Sequence, residues 1–90
     1  MSEIRHNAAA SRYEMDVHGE LAVAEYRERD GVLVFTHTET PRSARGQGHG
    51  AILVKGALDD VRKRGKKIVP ACWFVREFVE RTPGYADLLA

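Results

Sequence analysis

Arg45-Gly46-Gln47-Gly48-His49-Gly50 is the stretch of sequence that decides the fold. It follows an apolar, strand-like run that ends near Thr38 and precedes a helical pattern that begins near Ala51, so it predicts a strand–loop–helix unit. Glycines allow positive φ and close approach of a ligand to the backbone, and the first N–H groups of a helix lack intrahelical partners. The stretch therefore predicts an anion site that holds a pyrophosphate mainly through backbone amides, with a plain tight turn as the alternative.

The spacing of the glycines excludes two common phosphate loops. A Walker loop needs Gly-Lys-Ser/Thr at its end, and the dinucleotide-binding fingerprint needs Gly-x-Gly-x-x-Gly, whereas here the glycines stand at 46, 48 and 50. The pattern that is left is Arg-x-x-Gly-x-Gly, and a pattern this short needs support from its flanks.

Three flanking segments supply that support: residues 37–41 (HTETP), 68–75 (IVPACWFV) and 82–88 (TPGYADL). Together with the loop they resemble the small single-domain YjdJ-like branch of the GNAT (N-acetyltransferase) superfamily. The resemblance implies acetyl-CoA as the acyl donor, with its pyrophosphate bound by the loop. We expect no metal site, because the four histidines and one cysteine lack a paired-ligand spacing. The implied cofactor-binding residues are Arg45, Gly46, Gln47, Gly48, His49, Gly50 and Ala51.

Length and charge limit what else the chain can be. Its 90 residues predict a single domain over 1–90, and a net charge of +1 gives no general attraction to nucleic acid or to a membrane. One cysteine excludes an intrachain disulfide, and the first residues lack a secretory-signal pattern, so we expect a cytoplasmic protein. No apolar stretch approaches the roughly 20 residues that span a bilayer.

The first half of the chain predicts an antiparallel meander. Residues 1–10 show no clean period and are interpreted as a loosely held lead-in. Alternation from Ser11 to Val17, turn signals at His18-Gly19 and Asp30-Gly31, and the apolar run from Val32 to Thr38 predict three antiparallel strands.

The second half predicts a crossover and a fourth strand. Apolar residues at three- and four-residue steps after Gly50 predict a helix whose buried face carries Ile52, Leu53, Val54, Ala57, Leu58 and Val61. Lys67–Ala71 then forms a strand parallel to the third one, a short helix runs from Val75 to Arg81, and residues 85–89 pack back on the sheet. The fold class is thus α/β (α+β), a GNAT-like mixed sheet.

Pro70 lies in that fourth strand and cannot donate to a β-ladder. By itself it indicates an edge strand or a bulge. The resemblance implies that the third and fourth strands splay apart here and admit the pantetheine arm of CoA.

His37 and Cys72 are the candidate catalytic residues, because both stand near the carboxyl ends of the adjacent parallel strands, where α/β sheets place their ligands. The ordinary pKa of histidine suits a general base, and a cysteine thiolate could carry the acetyl group. The resemblance implies that they form the catalytic pair. Without it, a hydrogen-bonded histidine and a buried small cysteine are the simpler interpretations.

Several other residues have two interpretations. Glu39 could orient His37 or bind a substrate ammonium, or could be a solvated acid, and Tyr85 is interpreted as packing before any role as an acid. Arg42 and Lys55 could pair with phosphates or be surface charges. The aromatic residues Trp73, Phe74 and Phe78 are typical of a core but could contact adenine or pantetheine.

The function that the resemblance implies is acetyl transfer from acetyl-CoA to an amine, either directly or through acetyl-Cys72. The short connections between the first strands leave no room for the helices that build an acceptor pocket in larger superfamily members. We therefore expect an open pocket, which a homodimer could complete, or a large acceptor such as a protein amine. A CoA-binding module or an interaction domain without turnover is the alternative.

Overall fold

The computed structural model describes residues 4–90, which form a five-stranded sheet and two helices. The strands are β1 (Ile4–Asn7), β2 (Arg12–Val17), β3 (Glu20–Arg29), β4 (Val32–Glu39) and β5 (Lys67–Pro70), and the helices are α1 (His49–Lys63) and α2 (Trp73–Arg81). The strand order is β1-β2-β3-β4-β5, antiparallel from β1 to β4 and parallel between β4 and β5. The predicted mixed α/β architecture is confirmed.

Both predicted hairpin turns are present and share one backbone geometry. His18 and Gly19 have φ values of 53° and 80°, and Asp30 and Gly31 have φ values of 54° and 79°. Two successive positive φ angles are typical of a type I′ turn, whose twist matches that of the flanking strands. The meander is therefore fixed largely by local turn chemistry.

The lead-in prediction was wrong for residues 4–10, while residues 1–3 lie outside the described residues. Ile4–Asn7 forms β1, which pairs antiparallel with β2 through registers such as His6 with Tyr13. A short 3₁₀ turn, Ala8–Ala10, joins it to β2, and the Asn7 side chain accepts a hydrogen bond from the Ala10 amide. The sequence of β1 shows no alternating apolar pattern, and the strand forms through its pairing with β2.

Helix α1 covers the core side of the sheet, and its predicted buried face is confirmed for Leu53, Val54, Ala57, Leu58 and Val61. Ile52 departs from the prediction, since 52% of it is exposed. The helix also begins at His49, earlier than the apolar pattern indicated, because its first turn is set by the glycine loop and carries few apolar residues.

Strands β4 and β5 separate after a short parallel pairing. Their register ends at Phe35 with Pro70, and β4 continues without β5 as far as Glu39. The Cys72 amide donates to the Phe35 carbonyl at 2.8 Å as the chain turns into α2, which begins at Trp73 and not at Val75. The prediction that Pro70 lies in an edge strand is confirmed, because β5 is the last strand of the sheet.

The C-terminal segment packs back on the sheet as predicted. Tyr85 and Leu88 are buried, and Leu89 forms a parallel bridge to Ile68. The Ala90 amide donates to the Ile68 carbonyl at 2.9 Å. Across residues 4–90, no helix has the length and apolarity to cross a membrane.

Candidate functional site

The glycine loop delivers the chain into α1 with its first amides free. Gly48 is the N-cap residue, with φ at 82°, and it supplies no capping side chain. Within the described part of the chain, no well-formed hydrogen bond uses the amide of His49, Gly50 or Ala51 as its donor; the helical series starts with the Ile52 amide, 3.2 Å from the Gly48 carbonyl. These amides converge at the positive end of the helix dipole, which is the geometry of an anion site.

A cleft of about 530 Å³ opens over these amides. One wall is the end of β4 and the residue after it, another is the loop and the first turn of α1, and a third is the start of α2. The lining residues are His37, Thr38, Glu39, Thr40, Ala44, Arg45, Gly46, Gly48, His49, Gly50, Ala51, Trp73 and Phe74. The fold therefore brings most of the predicted cofactor-binding loop and His37 to one cleft; Gln47 does not line it and bonds His49 instead, with 3.2 Å between Oε1 and Nε2.

The charged residues around the loop differ in their availability. Arg42 and Arg45 are exposed, and neither forms an ion pair within residues 4–90. Lys55 instead pairs with Asp59, one turn further along α1, at 3.1 Å, and the hydrogen bond to Asp59 raises the pKa of Lys55. Of the predicted cationic residues, the two arginines are therefore free to meet an anion, whereas Lys55 is a paired surface charge.

A β-bulge in β4 decides where the neighbouring side chains point. The register pairs Phe35 with Tyr26 and His37 with Glu25, so that Thr36 has no opposite residue. Directly opposed residues share a face of the sheet, and Thr38 lies opposite the buried Ala24. Thr38 is consequently on the core face, and His37 is on the opposite face at the mouth of the cleft.

His37 and Glu39 form a pair at this mouth. The distance from His37 Nε2 to Glu39 Oε1 is 3.7 Å, and both side chains are more than half exposed. The prediction that the two residues share one side of the strand is confirmed. A carboxylate at this distance can orient the imidazole.

Cys72 occupies a different environment. It is the N-cap residue of α2 and is 8% exposed, and its thiol donates to Thr38 Oγ1 at 3.7 Å. No hydrogen bond within the described residues joins it to His37, and it does not line the cleft. The two candidate catalytic residues thus lie at the same end of the sheet, but within the described residues no hydrogen bond joins their side chains. Sequence reasoning missed Thr38 as the partner of Cys72, because the bulge that turns it inward leaves no signal in the sequence.

The aromatic residues divide between packing and exposure. Phe74 packs against the first turn of α1, where a Cβ built on Gly50 would lie 2.8 Å from Phe74 Cζ. Phe78 packs edge-on against Tyr85, whose hydroxyl donates to Asp59 at 2.7 Å. Burial, with this hydrogen bond, raises the pKa of Tyr85. The packing role of Tyr85 is confirmed, but a core role for Trp73 is wrong, because 63% of that residue is exposed.

A second polar cluster lies apart from the cleft and ties β1, β2 and β3 to α1. His6 Nε2 and Tyr26 Oη are 2.6 Å apart, the His6 ring stacks on Tyr13 at 4.5 Å, and the Tyr13 hydroxyl donates to Asp60 at 2.7 Å. Burial, together with the nearby charge of Arg64, lowers the pKa of His6. Each of these groups has a partner within the cluster, which indicates a structural role. In residues 4–90, no three His, Cys, Asp or Glu side chains are grouped to hold a metal ion.

Comparisons with known proteins agree with this geometry. The family model described as GCN5-related N-acetyl-transferase matches residues 12–88. The solution structure of a GCN5-like protein from Staphylococcus aureus superposes with a TM-score of 0.67 at 24% sequence identity, covering 98% of this chain and 87% of that one. At this identity the likeness shows the fold alone. A comparison with curated proteins found no significant match.

Proposed function

The chain belongs to the GCN5-related N-acetyltransferase family, and from this membership we propose that it transfers the acetyl group of acetyl-CoA to an amine. Family and fold together support acyltransferase activity. The donor, the acceptor and the roles of the residues below are parts of the proposal.

The observation that carries the proposal is the set of unpaired amides at the start of α1. His49, Gly50 and Ala51 donate no well-formed hydrogen bond within the described residues, and they face a cleft that also contains Arg45. A diphosphate group satisfies such amides and is attracted by an adjacent guanidinium. These features fit coenzyme A, and the residues that would hold its diphosphate are Arg45 to Ala51.

Bound acetyl-CoA supplies an activated acetyl thioester, and the residues of this chain supply orientation and proton transfer. His37 lines the cleft and is exposed, so it can accept the proton that the amine loses on acetylation. Glu39 would orient the imidazole and attract the incoming ammonium. This arrangement favours direct transfer with His37 as the base.

Transfer through acetyl-Cys72 is the second route. It requires the thiol to leave its bond with Thr38 and to reach the cleft, because Cys72 is buried and outside the lining. The thiol is nevertheless next to the cleft, because its hydrogen-bond partner Thr38 is one of the lining residues. Both routes give the same product.

The acceptor side of the cleft is open, since the β2–β3 and β3–β4 connections are two-residue turns. An open cleft could admit a protein amine or another large acceptor as readily as a small molecule. A second copy of the chain in a homodimer would narrow the cleft. We place the reaction in the cytoplasm as part of the proposal. A CoA-binding module without turnover is the alternative function, and it is favoured by the same missing acceptor walls.

Calorimetric titration with acetyl-CoA tests the proposal. The wild-type protein should show saturable binding, and Gly48→Val should lose it, because a β-branched residue is strained at a φ of 82° and would occupy the space of the diphosphate. Gly84→Val is the matched control, because its φ of 99° is also positive and it lies outside the cleft. Circular dichroism checks that both variants fold. Absence of binding by the wild type, or unchanged binding by Gly48→Val, would falsify the proposal.

A further inference from the structure

Trp73 differs from every other exposed large apolar residue in the described chain. The others are Leu21, Ile52, Val69 and Leu89, and none of them lines the cleft over the helix N-terminus. Trp73 lines that cleft and is 63% exposed. An indole with most of its surface in water beside an anion site suggests a surface that a bound ligand covers.

The position of the indole is set by α2 and by a neighbouring ring. Trp73 is the first residue of α2, and its ring meets the Phe74 ring at a centroid distance of 5.7 Å and an angle of 81°. Phe74 is itself held against Gly50 in the first turn of α1. Two rings that are nearly perpendicular leave at least one face of the indole uncovered, so a flat group can stack there without rearrangement of the helix.

The three walls of the cleft differ in the chemistry that they can bind. The amides and Arg45 suit a diphosphate, and the polar wall from His37 to Thr40 suits an arm that contains amides. The aromatic wall of Trp73 and Phe74 suits a planar ring. Coenzyme A contains one such ring, the adenine, which a single ribose connects to the diphosphate.

We propose that Trp73 binds the adenine ring of the coenzyme by stacking, and so sets the affinity for the nucleotide half of the acyl donor. This inference rests on the proposed function, because it needs the diphosphate at the start of α1. It adds a ligand-binding residue outside the loop and assigns a side chain to the nucleotide. A second copy of the chain that covers Trp73 is the competing occupant.

The chain has one tryptophan, so its fluorescence reports on this residue alone. Wild-type protein is titrated with acetyl-CoA, with adenosine 3′,5′-bisphosphate and with pantetheine, under excitation of the indole. The first two ligands should quench the emission with saturation, and pantetheine should not. Quenching by pantetheine without quenching by the bisphosphate would overturn the assignment to adenine.

Calorimetry of variants provides the second measurement. Trp73→Ala should weaken the binding of acetyl-CoA and of the bisphosphate by roughly tenfold or more, the scale of a base–aromatic stack, while Trp73→Phe retains most of the affinity. Ile52→Ala is the matched control, because it removes an exposed apolar side chain from α1 outside the cleft.

The outcomes separate the two proposals. If the wild type shows no saturable binding of acetyl-CoA, both the proposed function and this inference are contradicted. If Trp73→Ala binds acetyl-CoA with normal affinity, this inference is contradicted and the proposed function is not. An emission maximum that shifts on dilution without ligand, together with a dimer in size-exclusion chromatography, would show that a second copy covers Trp73.

Discussion

At the scale of single residues, His37 and Thr38 are neighbours in β4 with opposite surroundings. The bulge at Thr36 turns Thr38 toward the buried Cys72 and leaves His37 exposed beside Glu39. A base must be within reach of the amine that it deprotonates, whereas a thiol held by a neighbouring hydroxyl is removed from the cleft. Because of the bulge, we expect His37 to contribute more to catalysis than Cys72 does.

We predict that His37→Ala lowers kcat/KM by about 10²–10⁴-fold and leaves acetyl-CoA affinity within about twofold, because the base acts in the chemical step. Release of the CoA thiol in the presence of lysine-containing peptides measures the rate. Cys72→Ala should retain most of the activity, and intact-mass spectra of the wild type with acetyl-CoA should show no adduct at Cys72. An acetyl adduct that disappears in Cys72→Ala, with loss of turnover, would establish the covalent route.

At the scale of elements, the junction of α1 and α2 forms two of the three walls of the cleft. Gly50 and Phe74 meet there so closely that a single Cβ at Gly50 would lie 2.8 Å from Phe74 Cζ. The φ of Gly50 is not positive, unlike those of Gly46 and Gly48, so a glycine is needed here for space and not for conformation. The junction therefore couples the phosphate loop to the aromatic wall.

Gly50→Ala should destabilise the protein by about 1–3 kcal/mol in urea unfolding, because the added methyl group overpacks the junction. Phe74→Leu should relieve part of this cost, and the double variant should be more stable than the sum of the single effects by about 1 kcal/mol. Gly46→Ala is the control, since nothing lies within 4 Å of a Cβ at that position, and it should show no coupling to Phe74→Leu. Additive effects of Gly50→Ala and Phe74→Leu would contradict the contact.

At the scale of the whole molecule, the polar cluster around His6 links the N-terminal strand to the rest of the fold. Burial and the charge of Arg64 lower the pKa of His6. Partial burial would raise the pKa of Asp60, but hydrogen bonds from Arg64 and Tyr13 outweigh it, so that the pKa of Asp60 is lowered. Burial, assisted by Asp60, raises the pKa of the Tyr13 hydroxyl. The native state therefore favours neutral His6, ionised Asp60 and neutral Tyr13.

The sign of the pH dependence follows from these directions. Below the ordinary histidine pKa of about 6.5, the unfolded chain binds a proton at His6 more readily than the native state does, so stability falls on acidification. We expect the free energy of unfolding in urea to decrease between about pH 7.5 and 5.5, and again below about pH 4 as Asp60 is protonated.

His6→Gln is the matched variant for this measurement. Glutamine cannot titrate, so the variant should lose the histidine part of the slope and keep the decrease at lower pH. An identical slope between about pH 7.5 and 5.5 in the wild type and in His6→Gln would assign the effect to other groups. Above about pH 10, both proteins should lose stability, because Tyr13 ionises more readily in the unfolded chain than in the native state, where its pKa is raised.

The sequence by itself determined the parts of this protein that depend on local covalent geometry and chain order. His18-Gly19 and Asp30-Gly31 fix two hairpins, the apolar spacing from Leu53 to Val61 fixes a buried helix face, and the glycines at 46 and 48 fix a loop with positive φ. The parallel arrangement of β5 follows from the length of the crossover. Together with the short motifs, these features were sufficient to indicate the family.

Only the tertiary structure decided the rest, because it depends on partners that are distant in the chain. Ile4–Asn7 becomes a strand through pairing with β2, and Thr36 is bulged because of its register with β3. The cleft combines the end of β4, the loop and the start of α2, and this combination leaves Trp73 exposed while it buries Cys72. Long-range pairing sets which side of a strand or helix is covered, and no local pattern of residue types specifies it.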